Sequence, residues 1–205
     1  RTKTQDQIRL TEGLRLPPRY SLKTKTVRKP QRAGGVQIKH HILEMGRWRV
    51  PVTEFRAGRS RSPLVILSDG GRANTTTAAV QNALKAGNRV FVADLFAFGE
   101  QIIAGGAYHY LFMECVASAG DRPLGICTAQ LLALLNWIGS YAGTDAADIV
   151  AQGLSTGLIT LCAAALRPKG LGTLRVHTPD TLRRFIEWPV DYNQNPVIFC
   201  FGLLK

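Results

Sequence analysis

The residues best suited to chemistry are Gly153-Leu154-Ser155-Thr156-Gly157, a G-x-S-x-G sequence with a glycine two residues either side of a serine. That spacing suits a sharp turn that presents a nucleophile, with the serine expected in a strained backbone conformation and the glycines leaving room for it. The chemistry would be attack on a carbonyl. The Thr156 N–H and the positive end of a following helix would face the oxygen on which charge develops. A second donor is needed, and the turn Ser68-Asp69-Gly70-Gly71 offers the Gly70 or Gly71 N–H, because small residues let the backbone approach a substrate oxygen.

Such a serine must stand between a strand and a helix, and the sequence supplies both. Asp148–Gly153 is a short apolar run of the kind that forms a strand buried on both faces, and Thr156–Leu166 reads as the helix after it. Two similar runs precede it, Pro63–Ser68 and Arg89–Asp94, separated by a helix expected over Thr75–Ala86 that Gly87-Asn88 ends. A helical stretch near Tyr108–Ser118 and a strongly apolar helix Ile126–Tyr141 follow, and Gly172–His177 reads as a fourth strand. Helix is expected over Thr178–Trp188, while Val197–Phe201 fits helix or strand. Strands alternating with helices of this length predict an α/β fold, a mostly parallel sheet with helices on both faces. Val36–Leu43 and Arg47–Phe55, joined at Met45-Gly46, read as an antiparallel hairpin ahead of it.

Charge is unevenly placed. The 205 residues carry a formal +12, and residues 1–62 hold 16 Lys/Arg against 4 acids, so the remainder is neutral. Residues 1–35 read as a basic extended arm with one short helix near Gln5–Leu14, and residues 36–205 as the folded domain. Such an asymmetry suits an anionic partner for the arm or an acidic surface on which it docks. Tyr20 is the sole aromatic of residues 1–35, so no base-stacking platform is evident, and a packing strap with solvated or paired charges is the favoured role.

The hydrophobic share of 45% excludes whole-chain disorder. Cys115, Cys127, Cys162 and Cys200 are widely spaced without ligand spacing to a histidine, so buried thiols are expected and no metal. No cofactor is expected either: neither G-x-G-x-x-G nor G-x-x-x-x-G-K-[ST] stands at the first buried strand. The uncharged stretches Leu124–Thr144 and Ile149–Leu166 contain glycine and polar residues and are read as buried structure rather than membrane spans. Asp94, Glu100 and Asp121 read as caps or loop anchors, and Arg122 as a holder of a loop carboxylate. Trp48 and Trp137 read as packing residues, and Trp188 as a ring that can face substrate.

The turn Leu64–Gly71, the stretch Ala93-Asp94-Leu95 to Phe98-Gly99-Glu100, Arg122-Pro123-Leu124-Gly125 ahead of a long helix, and Gly153–Gly157 together resemble the α/β-hydrolase superfamily. Within it the resemblance is to acetyl-xylan-esterase-like and dienelactone-hydrolase-like serine esterases, over about residues 36–205. The resemblance implies a three-layer sandwich, a Ser-acid-His triad with Ser155 as nucleophile, and oxyanion donors at Thr156 and Gly70 or Gly71. It implies small esters or acylated carbohydrates as substrates, acetyl esters among them, and leans toward a secreted or periplasmic compartment. Nothing in it fixes the oligomeric state.

Family order puts the acid and the histidine downstream of the serine. Asp180, directly after the fourth strand, is the candidate acid, and His177 stands in the wrong place for the usual base. His40, His41 and His109 precede the serine; the first two fall on a strand outside the parallel core, where surface or packing roles are expected. The chain is therefore expected to be C-terminally incomplete, the missing part supplying acid and base. Two alternatives stand beside that: another polypeptide supplies them, or the domain is catalytically silent and its basic arm binds an anionic polymer or partner.

Overall fold

The computed structural model describes residues 3–17, 22–27, 29–60, 62–102, 109–166, 170–176, 195–198 and 200, so His177, Asp180, Trp188 and the helix expected over 178–188 lie outside the described residues. The expected hairpin is formed by β3 (Val36–Met45) and β4 (Trp48–Ala57), with Met45 opposite Trp48 across the turn. β4 pairs antiparallel with β6 (Asn88–Ala93). Beyond it β6, β5 (Ser62–Ser68), β7 (Ala147–Gln152) and β8 (Leu171–Val176) run parallel in that spatial order. Helices connect the parallel strands as the sequence predicts: α2 (Thr77–Lys85), α3 (His109–Ser118), α4 (Pro123–Ala142) and α5 (Leu154–Leu166).

Strand alternation decides which helices cover which face. Leu64 and Ile66 of β5 join Val80 and Ala83 of α2 in a small apolar cluster on one face. Val65 and Leu67 point the other way, into the main core, which takes in Ile149 of β7, Leu131 and Leu134 of α4 and Ile159 of α5. α4 is long and apolar enough by composition to cross a membrane, but here twelve of its residues are buried within the fold. Cys127 and Cys162 lie in that core as expected, and burial pushes both thiols up, whereas Cys200 is half-buried and Cys115, against expectation, is exposed on α3.

The short helix expected near Gln5–Leu14 is present, while the described remainder of the first 35 residues differs from the extended arm that the charge pattern suggests. Residues Lys3–Leu14 form α1, and β1 (Leu22–Thr26) and β2 (Gln31–Ala33) both pair antiparallel with β3, making an eight-stranded mixed sheet. The physical reason is local. Leu10 and Leu14, four apart, give α1 an apolar stripe, and the long strand β3 would otherwise leave its second edge unpaired. Leu14 is fully buried, Gln7 Nε2 donates to the Ala165 carbonyl at 2.9 Å, and Arg15 Nη1 donates to the Gly120 carbonyl at 2.5 Å. Gly125 of α4 is required where these elements meet, because a Cβ there would collide with the Leu14 carbonyl.

The same alternation that turns Val50 and Val52 inward carries Glu54 with them, and its residue surface is only 1% exposed. Burial pushes the carboxyl up. The hydrogen bond from His41 Nε2 (2.9 Å), the charge and hydrogen bond of Arg89 (Nε, 2.7 Å) and the Tyr141 hydroxyl (3.1 Å) outweigh it and hold Glu54 at about 2. Tyr141 stacks on Trp137, so the cluster ties the last turns of α4 to β3, β4 and β6. His41 thus has the packing role expected of it, at a depth that its place on an outer strand did not suggest.

This network makes stability pH-dependent in a defined window. A carboxyl held at about 2 when folded and at the ordinary 4.5 when unfolded contributes roughly 3 kcal/mol, fully present above pH 4.5 and lost as pH falls toward 2. Glu54→Gln is expected to destabilise the protein at neutral pH by about 3–5 kcal/mol, because it leaves buried cationic and polar groups without their anion. Urea unfolding of both proteins between pH 7 and pH 2.5 checks this: the gap between them should narrow below pH 4.5.

Candidate active site

In the spatial order β6, β5, β7 the connection leaving β5 through α2 goes to one side, and the one leaving β7 through α5 goes to the other. The carboxyl ends of β5 and β7 therefore flank a topological switch point, where open α/β sheets bind ligands. The turn after β5 carries Asp69, Gly70 and Gly71; the turn after β7 carries Gly153, with Ser155 just beyond it. Two segments more than eighty residues apart in sequence, both singled out by their glycines, meet here.

The turn after β7 is tighter than the sequence suggests. α5 begins at Leu154, so Ser155 has helical backbone, and the positive φ of the turn, 141°, falls on Gly153. Ser155 is 3% exposed, and its Oγ donates to Asn195 Oδ1 at 3.3 Å. Asn195 immediately precedes a short 3-10 turn, Pro196–Ile198, that packs on α4 and α5. Among the described residues no imidazole or carboxylate hydrogen-bonds the Ser155 hydroxyl.

The donors have internal acceptors. Asp69 receives the Ser155 N–H on Oδ2 at 3.0 Å and the Thr156 N–H on Oδ1 at 2.8 Å. The Gly70 N–H points to Ser68 Oγ at 3.3 Å and the Gly71 N–H to the Ser68 carbonyl at 2.8 Å. Each of the three N–H groups read as oxyanion donors thus has an acceptor within the protein: Gly70 and Gly71 turn theirs back on Ser68, and Thr156 gives its own to Asp69.

Asp69 was named in the sequence only as part of its turn. A signal for its role exists: at the start of α5 the chain offers Gln152 and Gly153, and glycine has no side chain to cap the exposed N–H groups, so the cap must come from elsewhere. Gly153 also makes room for it, since a Cβ there would collide with the Asp69 carboxylate. Asn195 carried no sequence signal.

The neighbouring loops are anchored as expected. Asp94, buried, receives Arg72 N (2.6 Å), Arg72 Nε (2.8 Å) and the Glu100 N–H (3.3 Å), while Glu100 pairs with Arg72 at 2.8 Å. Asp121 pairs with Arg47 at 2.6 Å. Arg122 was expected to hold a loop carboxylate; the bonds described for its guanidinium go to the backbone carbonyls of Ala117 and Asp121. No group of three or more His, Cys, Asp or Glu side chains that could hold a metal occurs among the described residues.

A mixed sheet with a parallel core, helices on both faces, and a serine after a central strand at the switch point define the class: the chain has the α/β-hydrolase fold. A Bacteroides fragilis protein assigned as an acetyl xylan esterase superposes with a TM-score of 0.64 at 13% identity, covering 80% of this chain and 50% of the other. Acetyl xylan esterase 1 of Thermoanaerobacterium superposes at 0.52 and 13% identity, covering 81% and 55%. A methylesterase superposes at 0.52 and 19% identity, covering 81% and 37%. The chain thus spans about half, or less, of the length of these structures. No family model matches the sequence, and no curated protein does.

Gly153→Ala forces a side chain into a conformation favoured by glycine and against Asp69. Strain of this kind costs about 1–3 kcal/mol, and loss of the Asp69 cap adds about 1 kcal/mol. Urea unfolding should show a loss of at least 2 kcal/mol, with Gly58→Ala as a control for a positive-φ glycine that has nothing within 4 Å of its added Cβ.

Proposed function

We propose that the chain carries the nucleophile of an ester hydrolase, with Ser155 attacking the carbonyl of a carboxylic ester. What supports this is the place of Ser155 at the switch point, at the start of α5, with the glycine-rich turn after β5 bonded to it through Asp69. In the reaction Ser155 Oγ bonds to the acyl carbon, the alcohol departs, and water later releases the acid from the acyl-enzyme. The hydroxyl proton needs a base. Asn195 Oδ1 accepts a hydrogen bond but cannot hold that proton, so the reading calls for a histidine, with Asp180 as its candidate acid. The superposed structures, of two acetyl xylan esterases and a methylesterase, make short acyl esters of carbohydrate the first substrates to try.

Incubating the protein with a fluorophosphonate probe and with short-chain aryl esters tests the reading. Covalent labelling mapped to Ser155, and ester turnover that falls to background in Ser155→Ala, are expected. Absence of both labelling and turnover in the folded parent and in a folded Asp69→Ser variant alike sinks it.

A second reading has its own observation. Asp69 puts a negative charge on the donors that an oxyanion requires, which favours a catalytically silent domain that binds an anion elsewhere. The register places Arg32 of β2 opposite Gln37 of β3, and Gln37 opposite Arg56 of β4, so two exposed arginines flank one glutamine on one face of the basic end. Affinity for a polyanion such as heparin should then fall steeply with salt, and the double variant Arg32→Ala/Arg56→Ala should flatten that slope by about 2, one for each cation lost. Binding that salt leaves unchanged counts against this reading.

A further inference from the structure

We infer that Asp69 is an autoinhibitory contact: its carboxylate occupies, from within the chain, the place that the carbonyl oxygen of a substrate would take, and the Ser155 site is closed until that side chain leaves. This rests on the reading of Ser155 as a nucleophile and goes beyond it, because it names the group that controls access to the donors.

Three observations converge. The carboxylate bridges two successive N–H groups, Oδ2 to Ser155 N at 3.0 Å and Oδ1 to Thr156 N at 2.8 Å, so both oxygens are engaged. The space for it is built into the opposite turn, because residue 153 is a glycine with φ 141° whose Cβ would collide with Asp69. Finally, Asp69 is held on its own side too: its N–H donates to the Gln152 carbonyl at 3.2 Å, so the turns after β5 and β7 are stitched together by backbone as well as by side chain.

The chemistry of the contact follows from charge. An ester carbonyl is neutral in the ground state and becomes anionic as Ser155 adds, so it needs donors that are free and surroundings without a negative charge. Asp69 denies both. It is a better ligand for two N–H groups at a helix N-terminus than a neutral ester is, because an ionised acceptor makes the stronger hydrogen bonds. A substrate oxygen can take those donors only when Asp69 swings out or is neutralised. Its side chain is partly exposed rather than sealed in, and χ rotation alone would carry it off the helix.

The experiment compares the parent, Asp69→Ser, Asp69→Asn and the double variant Asp69→Ser/Ser155→Ala. The first readout is the rate of fluorophosphonate labelling at Ser155, in which the new P–O bond displaces fluoride and the hydroxyl proton passes to solvent. Labelling of Asp69→Ser is expected to be at least tenfold faster than the parent and absent in the double variant, with Asp69→Asn intermediate. The second readout does not depend on catalysis: sulfate, set against chloride at equal ionic strength, should raise the melting temperature of Asp69→Ser, whose donors are vacated, and leave the parent unchanged. Equal labelling of parent and Asp69→Ser overturns the inhibitory contact while the nucleophile reading stands. Labelling in none of the folded proteins overturns the nucleophile reading, and the contact with it. A melting temperature of Asp69→Ser that is indifferent to sulfate also counts against the contact, since the donors would then have found another partner. Asp69→Asn keeps the size of the side chain and an acceptor oxygen, so it serves if the serine variant does not fold.

Discussion

The organisation at the centre of the sheet depends on one ionic capping interaction, the carboxylate of Asp69 on the first N–H groups of α5. A helix that starts directly from a strand exposes its first donors where water is scarce. Here the cap comes from the neighbouring strand's loop, so the start of α5 and the φ of Gly153 meet at one contact, which adds to the backbone pairing of β5 with β7. Helix α5 can then begin at Leu154 without a turn that strains Ser155, because Gly153 takes the unusual conformation and Asp69 takes the charge.

What the sequence made legible is what local pattern encodes. The apolar runs of β5, β6 and β7 and the alternation of the β3–β4 hairpin each follow from which neighbours a strand must face, and each is found where expected. The start of α5 was not legible, because it is set by a carboxylate 86 residues away, and neither was the partner of the Ser155 hydroxyl, 40 residues on. The first 35 residues fall between these cases. The helix near Gln5–Leu14 was legible, whereas the pairing of β1 and β2 with the otherwise unsatisfied edge of β3 was obscured by charge density.

The +12 also acquires internal uses. Glu54 and Asp94, both buried, are matched by Arg89 and Arg72, arginines outside the basic first 62 residues. The N-terminal cations mostly face outward: Lys25 pairs with Glu44 and Arg47 with Asp121, both at the surface, where such pairs contribute little. The excess charge therefore belongs to the exterior of the hairpin end of the sheet, while the interior balances its own anions. The two buried anions also divide the labour, Glu54 fixing α4 against the hairpin and Asp94 fixing the loops beside the site.

Fold and activity separate at the same residue. A negative charge about 4 Å from a developing oxyanion raises its energy by about 4 kcal/mol at an effective dielectric near 20. That is close to a thousandfold in rate. The favourable field of a helix N-terminus supplies only about 0.3–1 kcal/mol at an exposed site and about 2 kcal/mol in a partly buried one. With Asp69 in place the helix therefore cannot offset the carboxylate, and the preorganisation that would serve a transition state is spent on the ground state of the protein. Under the proposed reading of Ser155 as nucleophile, the cap of α5 and the reactivity of Ser155 both draw on the Thr156 N–H, so each is strengthened only at the expense of the other.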